Sequence, residues 1–225
     1  MDFVPTCYNY CIMKKVIQFV YFDLGGVVEL DFSGTKKWII MKKELGITRN
    51  RSKEFTELWK KYEPEICIGR DLESLLPIIK NKFSLKLPEE YSFLIDGFVN
   101  RFEANPSIWR VIEEIQRHSK VGLLTNMYLN MFDAIKNRGI LPNISWDVII
   151  DSSKVGLQKP DPKIFEFAEK NANFHGQEIL FVENSLNNVK AASEFGWRTF
   201  LYNSAHPEES SKQLLKYFTT LIKGN

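Results

Sequence analysis

The sequence predicts an α/β fold in which a doubly wound parallel sheet carries a small, all-helical inserted domain. Apolar strands and amphipathic helices alternate from residue 105 onward, the pattern of a parallel sheet with helices on both faces. Residues 35–104 instead show the 3.6-residue periodicity of helices. An apolar run at residues 16–22 adds one strand to the sheet. The predicted organisation is an N-terminal extension at 1–13, an α/β core at 14–34 and 105–225, and a helical cap at 35–104.

Composition and charge exclude several classes of protein. The net charge of +2 provides no broad basic surface for nucleic acid. No apolar run approaches the roughly 20 residues that span a membrane, and residues 1–12 lack the basic and apolar regions of a signal peptide. Cys7, Cys11 and Cys67 form neither a metal-ligand spacing nor an even disulfide framework. We therefore expect a protein of a reducing, cytoplasmic compartment.

The first predicted strand ends in a carboxylate. Residues 16–22 are almost continuously apolar, as in strands buried on both faces, and Asp23 follows directly. Gly25 and Gly26 then provide backbone that bends tightly. Ligands of open α/β sheets bind beyond the carboxyl ends of the strands. Asp23 is therefore either a reactive group at a strand tip or a residue that caps a turn.

The rest of the chain is predicted to alternate around this strand. The cap is expected to hold helices at 35–45, 52–62, 71–83 and 88–102, with breaks at Pro64, Gly69 and Pro88 and no strand. Its tryptophans and phenylalanines are expected to form the core of a small bundle. The core is expected to contain strands at 121–124, 147–151, 179–182 and 198–202, and helices at 107–118, 128–137, 162–171, 186–195 and 207–223.

Polar residues follow the predicted strands at the edge where parallel strands end together. Asp23 is a potential nucleophile. Thr125 and Asn126 offer a hydroxyl and an amide to an anion, and Lys159 offers a positive charge. These four residue types suit chemistry on a negatively charged substrate.

One more strand end carries an acid and an amide. Glu183 and Asn184 present oxygen atoms of the kind that a hard cation such as Mg²⁺ prefers. Each candidate also has a structural interpretation. Thr125, Asn126, Glu183 and Asn184 are residue types that cap helices or turns, and lysines such as Lys159 are usually solvated. The combination favours function more strongly than any single residue does.

Four segments resemble the motifs of the haloacid dehalogenase superfamily of phosphohydrolases, whose fold is Rossmann-like. The resemblance extends over residues 16–202, and residues 35–105 fall where that family inserts a helical cap. The first motif most resembles that of small sugar-phosphate phosphatases. The segments are Asp-Leu-Gly-Gly-Val at 23–27, Leu-Leu-Thr-Asn at 123–126, Gly-x-x-Lys-Pro-Asp-x-x-Ile-Phe at 156–165, and Val-Glu-Asn with Asn-Val-x-Ala-Ala and Gly-Trp at 182–197.

This resemblance implies hydrolysis of a small phosphorylated metabolite. Asp23 would attack phosphorus and form an aspartyl-phosphate. Thr125 and Lys159 would act with it by holding the phosphoryl oxygens. The phosphate-binding residues implied by the motifs are Gly25, Gly26, Thr125, Asn126 and Lys159.

The resemblance also implies a Mg²⁺ site, and two departures from the family pattern affect it. Mg²⁺ would bind Asp23, the carbonyl of Gly25, and Glu183 or Asn184. The family's second acid in the last motif is Asn184 here, and losing that charge should weaken the binding of Mg²⁺. The family's general acid and base is replaced by Gly25. Loss of such a group typically costs about 10²–10⁴-fold in rate.

Three functions remain open from the sequence. The first is a slow or specialised phosphatase, best suited to leaving groups that need no proton. The second is a catalytically degenerate member of the fold that binds a partner. The third, less favoured, is a dehalogenase in which Asp23 attacks carbon without Mg²⁺. Fold alone does not decide among them.

Overall fold

A computed structural model describes residues 17–223, and within them the predicted α/β fold is confirmed. The N-terminal extension predicted at 1–13 lies outside the described residues. Five parallel strands form one sheet in the order β5-β4-β1-β6-β7. The strands are β1 (Phe19–Phe22), β4 (Lys120–Thr125), β5 (Val148–Asp151), β6 (Ile179–Glu183) and β7 (Arg198–Leu201).

Strand register brings the predicted tips together. Phe22, the last residue of β1, pairs with Leu123 of β4 and with Val182 of β6. The backbone N–H of Asp23 continues this ladder by donating to the carbonyl of Val182 at 2.9 Å. Asp23 is therefore level with the last residues of β6 and β4.

Helices cover both faces of the sheet. Residues of β1 alternate between the faces, as the two-residue period of a strand requires. Phe19 and Tyr21 are buried against α7 and α8, while Val20 and Phe22 belong to the core on the other face, with α4 and α9. The helices of the core are α4 (Pro106–Gln116), α5 (Met131–Asn137), α6 (Ser152–Val155), α7 (Pro162–Ala172), α8 (Leu186–Glu194) and α9 (Pro207–Lys223). None of the helices in residues 17–223 has the length and apolar character needed to cross a membrane.

The helical segment, residues 37–101, differs from the prediction in two places. Its helices are α1 (Lys37–Glu44), α2 (Ser52–Ile66) and α3 (Leu76–Phe83). The break predicted at Pro64 is wrong, because α2 continues through it to Ile66; Phe55, Trp59 and Ile66 are buried along that helix and hold it in place. The helix predicted at 88–102 is instead a π-helical turn, Phe93–Phe98, followed by the 3₁₀ turn Val99–Arg101.

A short ribbon that the sequence analysis missed joins this segment to the sheet. Strand β2 (Glu29–Leu30) pairs antiparallel with β3 (Glu103–Ala104). Two residues are too few to show a two-residue period, which is why no strand was predicted there. The following residue, Asn105, donates from its side-chain amide to the carbonyl of Val27 at 2.7 Å and to the hydroxyl of Tyr202 at 3.0 Å.

The aromatic residues of the helical segment pack as predicted, but they do not form a separate core. Phe55, Trp59 and Phe98 are buried in the same cluster as Val20 and Phe22 of β1. The buried residues of the helical segment are therefore continuous with the core on the α4 and α9 side of the sheet.

Candidate active site

Asp23 lies at the carboxyl end of β1 with one carboxylate oxygen fixed in place. Oδ1 accepts hydrogen bonds from the backbone N–H of Leu24 at 2.8 Å and forms an ion pair with Lys159 Nζ at 3.0 Å. The carbonyl of Leu24 accepts from the N–H groups of Val27, Val28 and Glu29, which closes the turn predicted from the two glycines. The side chain of Asp23 is 13% exposed and is therefore accessible from one side.

Lys159 is the charged centre of the site. Its ammonium group donates to Glu183 Oε2 at 2.6 Å and to the carbonyl of Leu124 at 2.9 Å, in addition to the ion pair with Asp23. Its side chain has no solvent exposure, so it is not the solvated lysine of the structural interpretation. Three hydrogen-bonding partners from three strand ends hold Lys159 at the edge of the sheet.

Asn126 positions this lysine through its backbone. The Asn126 amide donates to the carbonyl of Lys159 at 2.8 Å, and its oxygen accepts from the N–H of Lys159 at 2.9 Å. This pairing ties the loop after β5 to the end of β4. Thr125, the last residue of β4, is buried and lies level with Asp151 of β5. Thr125 and Asn126, two of the five residues predicted to bind phosphate, thus lie at the end of β4, the strand that pairs with β1. Asn126 has a structural role as well.

Glu183 is engaged on both of its oxygens. Oε1 accepts from the N–H groups of Asn184 and Ser185 at 2.9 and 2.8 Å, which fixes the turn that leads into α8. Oε2 accepts from Lys159 and from the Asn188 amide. Glu183 is therefore the counter-ion of Lys159 in this arrangement.

Asn184 faces the turn that follows Asp23. Its amide Nδ2 donates to the carbonyl of Gly25 at 3.1 Å and approaches the Ser204 hydroxyl at 3.0 Å. Ser204 in turn donates to the carbonyl of Gly26 at 2.6 Å. A Cβ on Gly26 would lie 2.1 Å from Asn184 Nδ2, and Gly26 has φ of +75°, so only glycine suits this position. We refer to Gly25, Gly26, Asn184 and Ser204 as the amide latch.

As they stand, these residues do not fit a divalent cation. A metal ligand must present an oxygen lone pair, but the Gly25 carbonyl faces an N–H group of Asn184 and both oxygens of Glu183 face donors. Within residues 17–223, no group of three or more histidine, cysteine, aspartate or glutamate side chains is arranged to hold a metal. The reaction proposed for these residues therefore includes no metal-dependent step.

The protonation of Asp23 and Lys159 is set by burial and by each other. Burial, together with repulsion from Glu183, raises the pKa of Asp23 to about 7, although Lys159 opposes the shift. Burial alone would lower the pKa of Lys159, but attraction to Asp23 and Glu183 outweighs it and raises that pKa. Lys159 is therefore charged whenever Asp23 is ionised.

A second pair of carboxylates, absent from the sequence predictions, lies beside the same turn. Glu29 is 1% exposed and its Oε2 has no hydrogen-bond partner among the described residues. Burial first, and then repulsion from Asp31, raises the pKa of Glu29 well above its usual range, and burial also raises the pKa of Asp31. Their spacing along the sequence was the available signal, because residues two apart on a strand share one face.

A cavity of about 360 Å³ opens between the helical segment and the strand tips. It reaches Gly25 and Asn126, the residues just beyond Asp23 and Thr125, and Glu29 and Asp31 line it too. Lys60 is the single basic residue among its described lining residues, against three acids. The remaining walls are mainly apolar and aromatic: Phe32, Trp38, Trp59, Phe98, Phe102, Met127, Tyr128 and Met131.

The comparison with protein families agrees with this fold. The family model described as haloacid dehalogenase-like hydrolase matches residues 32–196, more than half of the chain. The chain belongs to the haloacid dehalogenase-like hydrolases. The matched range includes the segments that carry Thr125, Lys159 and Glu183, whereas Asp23 lies just before it. The family predicted from the motifs is thus confirmed, while the sugar-phosphate subgroup stays a prediction.

Solved structures that share this fold include the following two enzymes. A haloacid dehalogenase family enzyme from Bacteroides thetaiotaomicron, solved with magnesium and inorganic phosphate, gives a TM-score of 0.66 at 18% identity and covers 84% of this chain and 95% of its own. The L-2-haloacid dehalogenase from Xanthobacter autotrophicus gives 0.59 at 20% identity and covers 83% and 77%. These likenesses show the fold alone.

Curated relatives of known sequence match shorter stretches. Acyl-CoA dehydrogenase family member 10 from Mus musculus is 30% identical over 95 residues, which is 41% of this chain and 9% of that protein. Drimenol cyclase drtB from Aspergillus calidoustus is 32% identical over 73 residues, 32% of this chain and 13% of that protein. The chain thus spans a small fraction of the curated relatives it matches.

Proposed function

We propose that this haloacid dehalogenase-like hydrolase is a phosphohydrolase that acts on a small phosphorylated metabolite through an aspartyl-phosphate. One observation carries the proposal: Asp23 Oδ1 lies 3.0 Å from Lys159 Nζ at the tip of β1, next to the cavity. A carboxylate nucleophile and a buried cation at one strand tip suit attack on an anionic phosphoryl group. The net charge of +2 and the size of the cavity support a small substrate rather than nucleic acid. The proposed cytoplasmic setting rests on the three cysteines, which form no even disulfide framework.

In the proposed reaction, Asp23 attacks phosphorus and the bond to the leaving oxygen breaks. Lys159 holds Asp23 in position and offsets the negative charge of the phosphoryl oxygens as they approach. The hydroxyl of Thr125, which lies at the end of the neighbouring strand β4, would donate to the same oxygens. Water then cleaves the aspartyl-phosphate and regenerates the Asp23 carboxylate.

We also propose that this protein binds Mg²⁺ weakly, although neither the attack by Asp23 nor the hydrolysis of the aspartyl-phosphate is derived through the ion. A cation would require the Asn184 amide to rotate so that its oxygen, rather than Nδ2, faces the Gly25 carbonyl. That rotation leaves a site with one charged ligand, Asp23, since Glu183 stays bonded to Lys159. When bound, such an ion would shield phosphoryl charge.

Dehalogenation is less favoured as the function of this site. Gly25, Gly26 and Val27 follow Asp23, where the dehalogenase branch of the family carries Tyr and then Gly-Thr. In the proposed reaction a phosphoryl group lies beside Lys159, while its leaving group occupies the apolar part of the cavity. The degenerate binding protein remains the second candidate, because Gly25 lacks the side chain that the family uses as acid and base.

Phosphate release tests the proposal directly. We expect the purified chain to hydrolyse p-nitrophenyl phosphate and acetyl phosphate, whose leaving groups need no proton. Asp23→Asn should abolish both activities. Acid-quenched protein should carry a labelled phosphoryl group that hydroxylamine removes, since acyl phosphates react with it, and Asp23→Asn should carry none.

Each other outcome selects a different function. Halide release from 2-haloacids without phosphate release would replace the proposal with a dehalogenase. Absence of both reactions in the folded protein, with Asp23→Asn binding the same small molecules as the wild type, would replace it with a binding protein.

A further inference from the structure

The space of the missing side chain at residue 25 is filled by another carboxylate. A Cβ built on Gly25 would lie 2.9 Å from Asp31 Oδ2 and 3.4 Å from Asp31 Cγ. That distance is shorter than an ordinary van der Waals contact, so the carboxylate lies in space that a side chain at position 25 would need. Glu29 Oε1 is farther away, at 3.6 Å. The Asp31 carboxylate therefore occupies the region that an aspartate at position 25 would reach.

Asp31 is held there by its own backbone environment. Its Oδ1 accepts from the N–H of Ser33 at 2.7 Å, which leaves Oδ2 on the side of Gly25. The preceding strand β2 is paired with β3, and the next residue, Phe32, packs edge-on against Phe98 and Phe102 with ring centroids 5.3 and 5.9 Å apart. The position of Asp31 is therefore fixed on both sides along the chain.

Asp31 also faces the place where a leaving group would lie. It lines the cavity together with Gly25 and Phe32, and it is partly exposed, whereas Glu29 is almost fully buried. Burial raises the pKa of Asp31, which favours the protonated form that an acid needs. Of the two carboxylates beside Gly25, Asp31 is the nearer and the more accessible.

We propose that Asp31 is the general acid and base of this phosphohydrolase, acting in place of the side chain that Gly25 lacks. The inference rests on the proposed function. As the Asp23 oxygen bonds to phosphorus and the ester P–O bond breaks, the proton of Asp31 passes to the leaving oxygen, which departs as an alcohol. The Asp31 carboxylate then takes a proton from water, whose oxygen attacks the aspartyl-phosphate and releases inorganic phosphate. Both side chains return to their initial states.

Two substrates of nearly equal size separate this role from a structural one. The leaving group of p-nitrophenyl phosphate departs as a stable anion, whereas that of phenyl phosphate is more basic and gains from a proton. The constant kcat/KM includes only steps up to departure of the phenol. We expect Asp31→Asn to lower kcat/KM for phenyl phosphate by about 10²–10⁴-fold, the usual contribution of a general acid. The loss for p-nitrophenyl phosphate should be much smaller.

A relocated carboxyl and a cavity control sharpen the test. In Gly25→Asp combined with Asp31→Ala, the close approach of 2.9 Å is removed and an acid returns to position 25, so the phenyl phosphate rate should recover. Glu63→Gln removes a different cavity acid and should change both substrates by the same factor. If Asp31→Asn does not fold, Asp31→Ser, which retains an acceptor for Ser33, gives the same ratio.

The possible failures are distinguishable. A wild-type protein that hydrolyses neither ester contradicts the proposed function, and the role of Asp31 falls with it. An active wild type in which the folded Asp31 variants keep the wild-type ratio of the two rates overturns the role of Asp31 alone.

Discussion

Two clusters of acids lie beside the turn after β1, and they differ in one component. The lysine cluster contains Asp23 and Glu183 with Lys159 between them, within 3.0 and 2.6 Å. The acid pair contains Glu29 and Asp31, and no basic side chain of residues 17–223 forms an ion pair with either. A buried carboxylate beside a cation can stay ionised, whereas a buried carboxylate beside another carboxylate holds its proton more tightly. The same residue type is thus proposed as nucleophile in the lysine cluster and as acid in the acid pair.

The comparison also separates two origins of a site. The lysine cluster is assembled from the ends of β1 and β6 and the loop after β5, elements that are distant in sequence. The acid pair lies within three consecutive residues, Glu29 to Asp31, in and just after the two-residue strand β2. Removal of the Lys159 charge should therefore leave the lysine cluster with uncompensated carboxylates, as in the acid pair. Removal of the Glu29 charge should relieve the same cost in the acid pair.

Replacing Lys159 with methionine should give the largest effect. The substitution leaves Asp23 and Glu183 buried without a cation, and breaking a buried ion pair in this way typically costs about 3–5 kcal/mol of folding free energy. The loss should shrink as pH falls, because the two carboxyls then become neutral. Urea unfolding at pH 8 and pH 5 measures both effects.

Lys163→Met is the matched control, since Lys163 is an exposed lysine of the following helix. It should change stability by less than about 0.5 kcal/mol, as surface substitutions usually do. A Lys159→Met protein as stable as the control at pH 8 would contradict the role of Lys159 as an essential counter-ion.

Glu29→Gln should have the opposite sign. Because the pKa of Glu29 is raised in the folded state, its protonated form contributes stability at low pH that is lost as pH rises through the folded-state pKa. The amide is neutral at every pH, so the variant should be more stable than wild type at alkaline pH, by about 1–3 kcal/mol if the full desolvation cost is removed.

The measurement is the unfolding free energy between pH 5 and pH 9, with exposed Glu166→Gln as control. Wild type and the control should lose stability in parallel as pH rises, while Glu29→Gln follows a flatter curve. Parallel curves for all three proteins would show that Glu29 does not hold a proton in the fold.

Activity should depend on the ionisation of Asp23. Its pKa of about 7 means that kcat/KM should fall about tenfold per pH unit well below pH 7, because only the carboxylate attacks phosphorus. p-Nitrophenyl phosphate is the suitable substrate, since its leaving group does not require the acid pair. A profile that is flat from pH 7 down to pH 5 would place the pKa of Asp23 near its ordinary value.

Asn184→Asp should give the smallest change, confined to metal binding. An acid at this position restores a second charged oxygen beside the Gly25 carbonyl, so Mg²⁺ affinity should rise by about tenfold or more. Calorimetric titration with Mg²⁺ measures the affinity, and Asn187→Asp provides a control acid at an exposed position of α8. Equal affinities in wild type and Asn184→Asp would show that the amide is not what weakens the site.

Much of the fold was predictable because it depends on long periodic patterns. The parallel sheet follows from apolar runs such as the one before Asp23, and the convergence of Asp23, Thr125 and Lys159 follows from the common edge of parallel strands. The continuation of α2 through Pro64 and the turns at 93–101 could not be predicted from the local sequence. Burial of Trp59 and Ile66 overrides the proline, and the π-helical turn satisfies tertiary packing around Phe93 and Phe98 rather than a helical repeat.

The residues that form the site were more predictable than the hydrogen bonds and ion pairs between them. Sequence placed Glu183 and Asn184 together but could not show that Glu183 faces Lys159 while the Asn184 amide faces Gly25. Glu29 and Asp31 follow the first motif closely in the sequence, but they belong to none of the family motifs. Their approach to Gly25 depends on the β2–β3 ribbon, which joins residues more than seventy positions apart.

The amide latch has a consequence for how substrate can enter. It fastens the turn beside the nucleophile to Ser204, just before α9, and Asn105 fastens Val27 of the same turn to Tyr202. Asn105 follows β3 and so ends one of the two connections of the helical segment. If that segment swings away from the sheet, it pulls through Asn105 on the loop that shapes the reaction centre. Movement of that segment would therefore also change the geometry around Asp23.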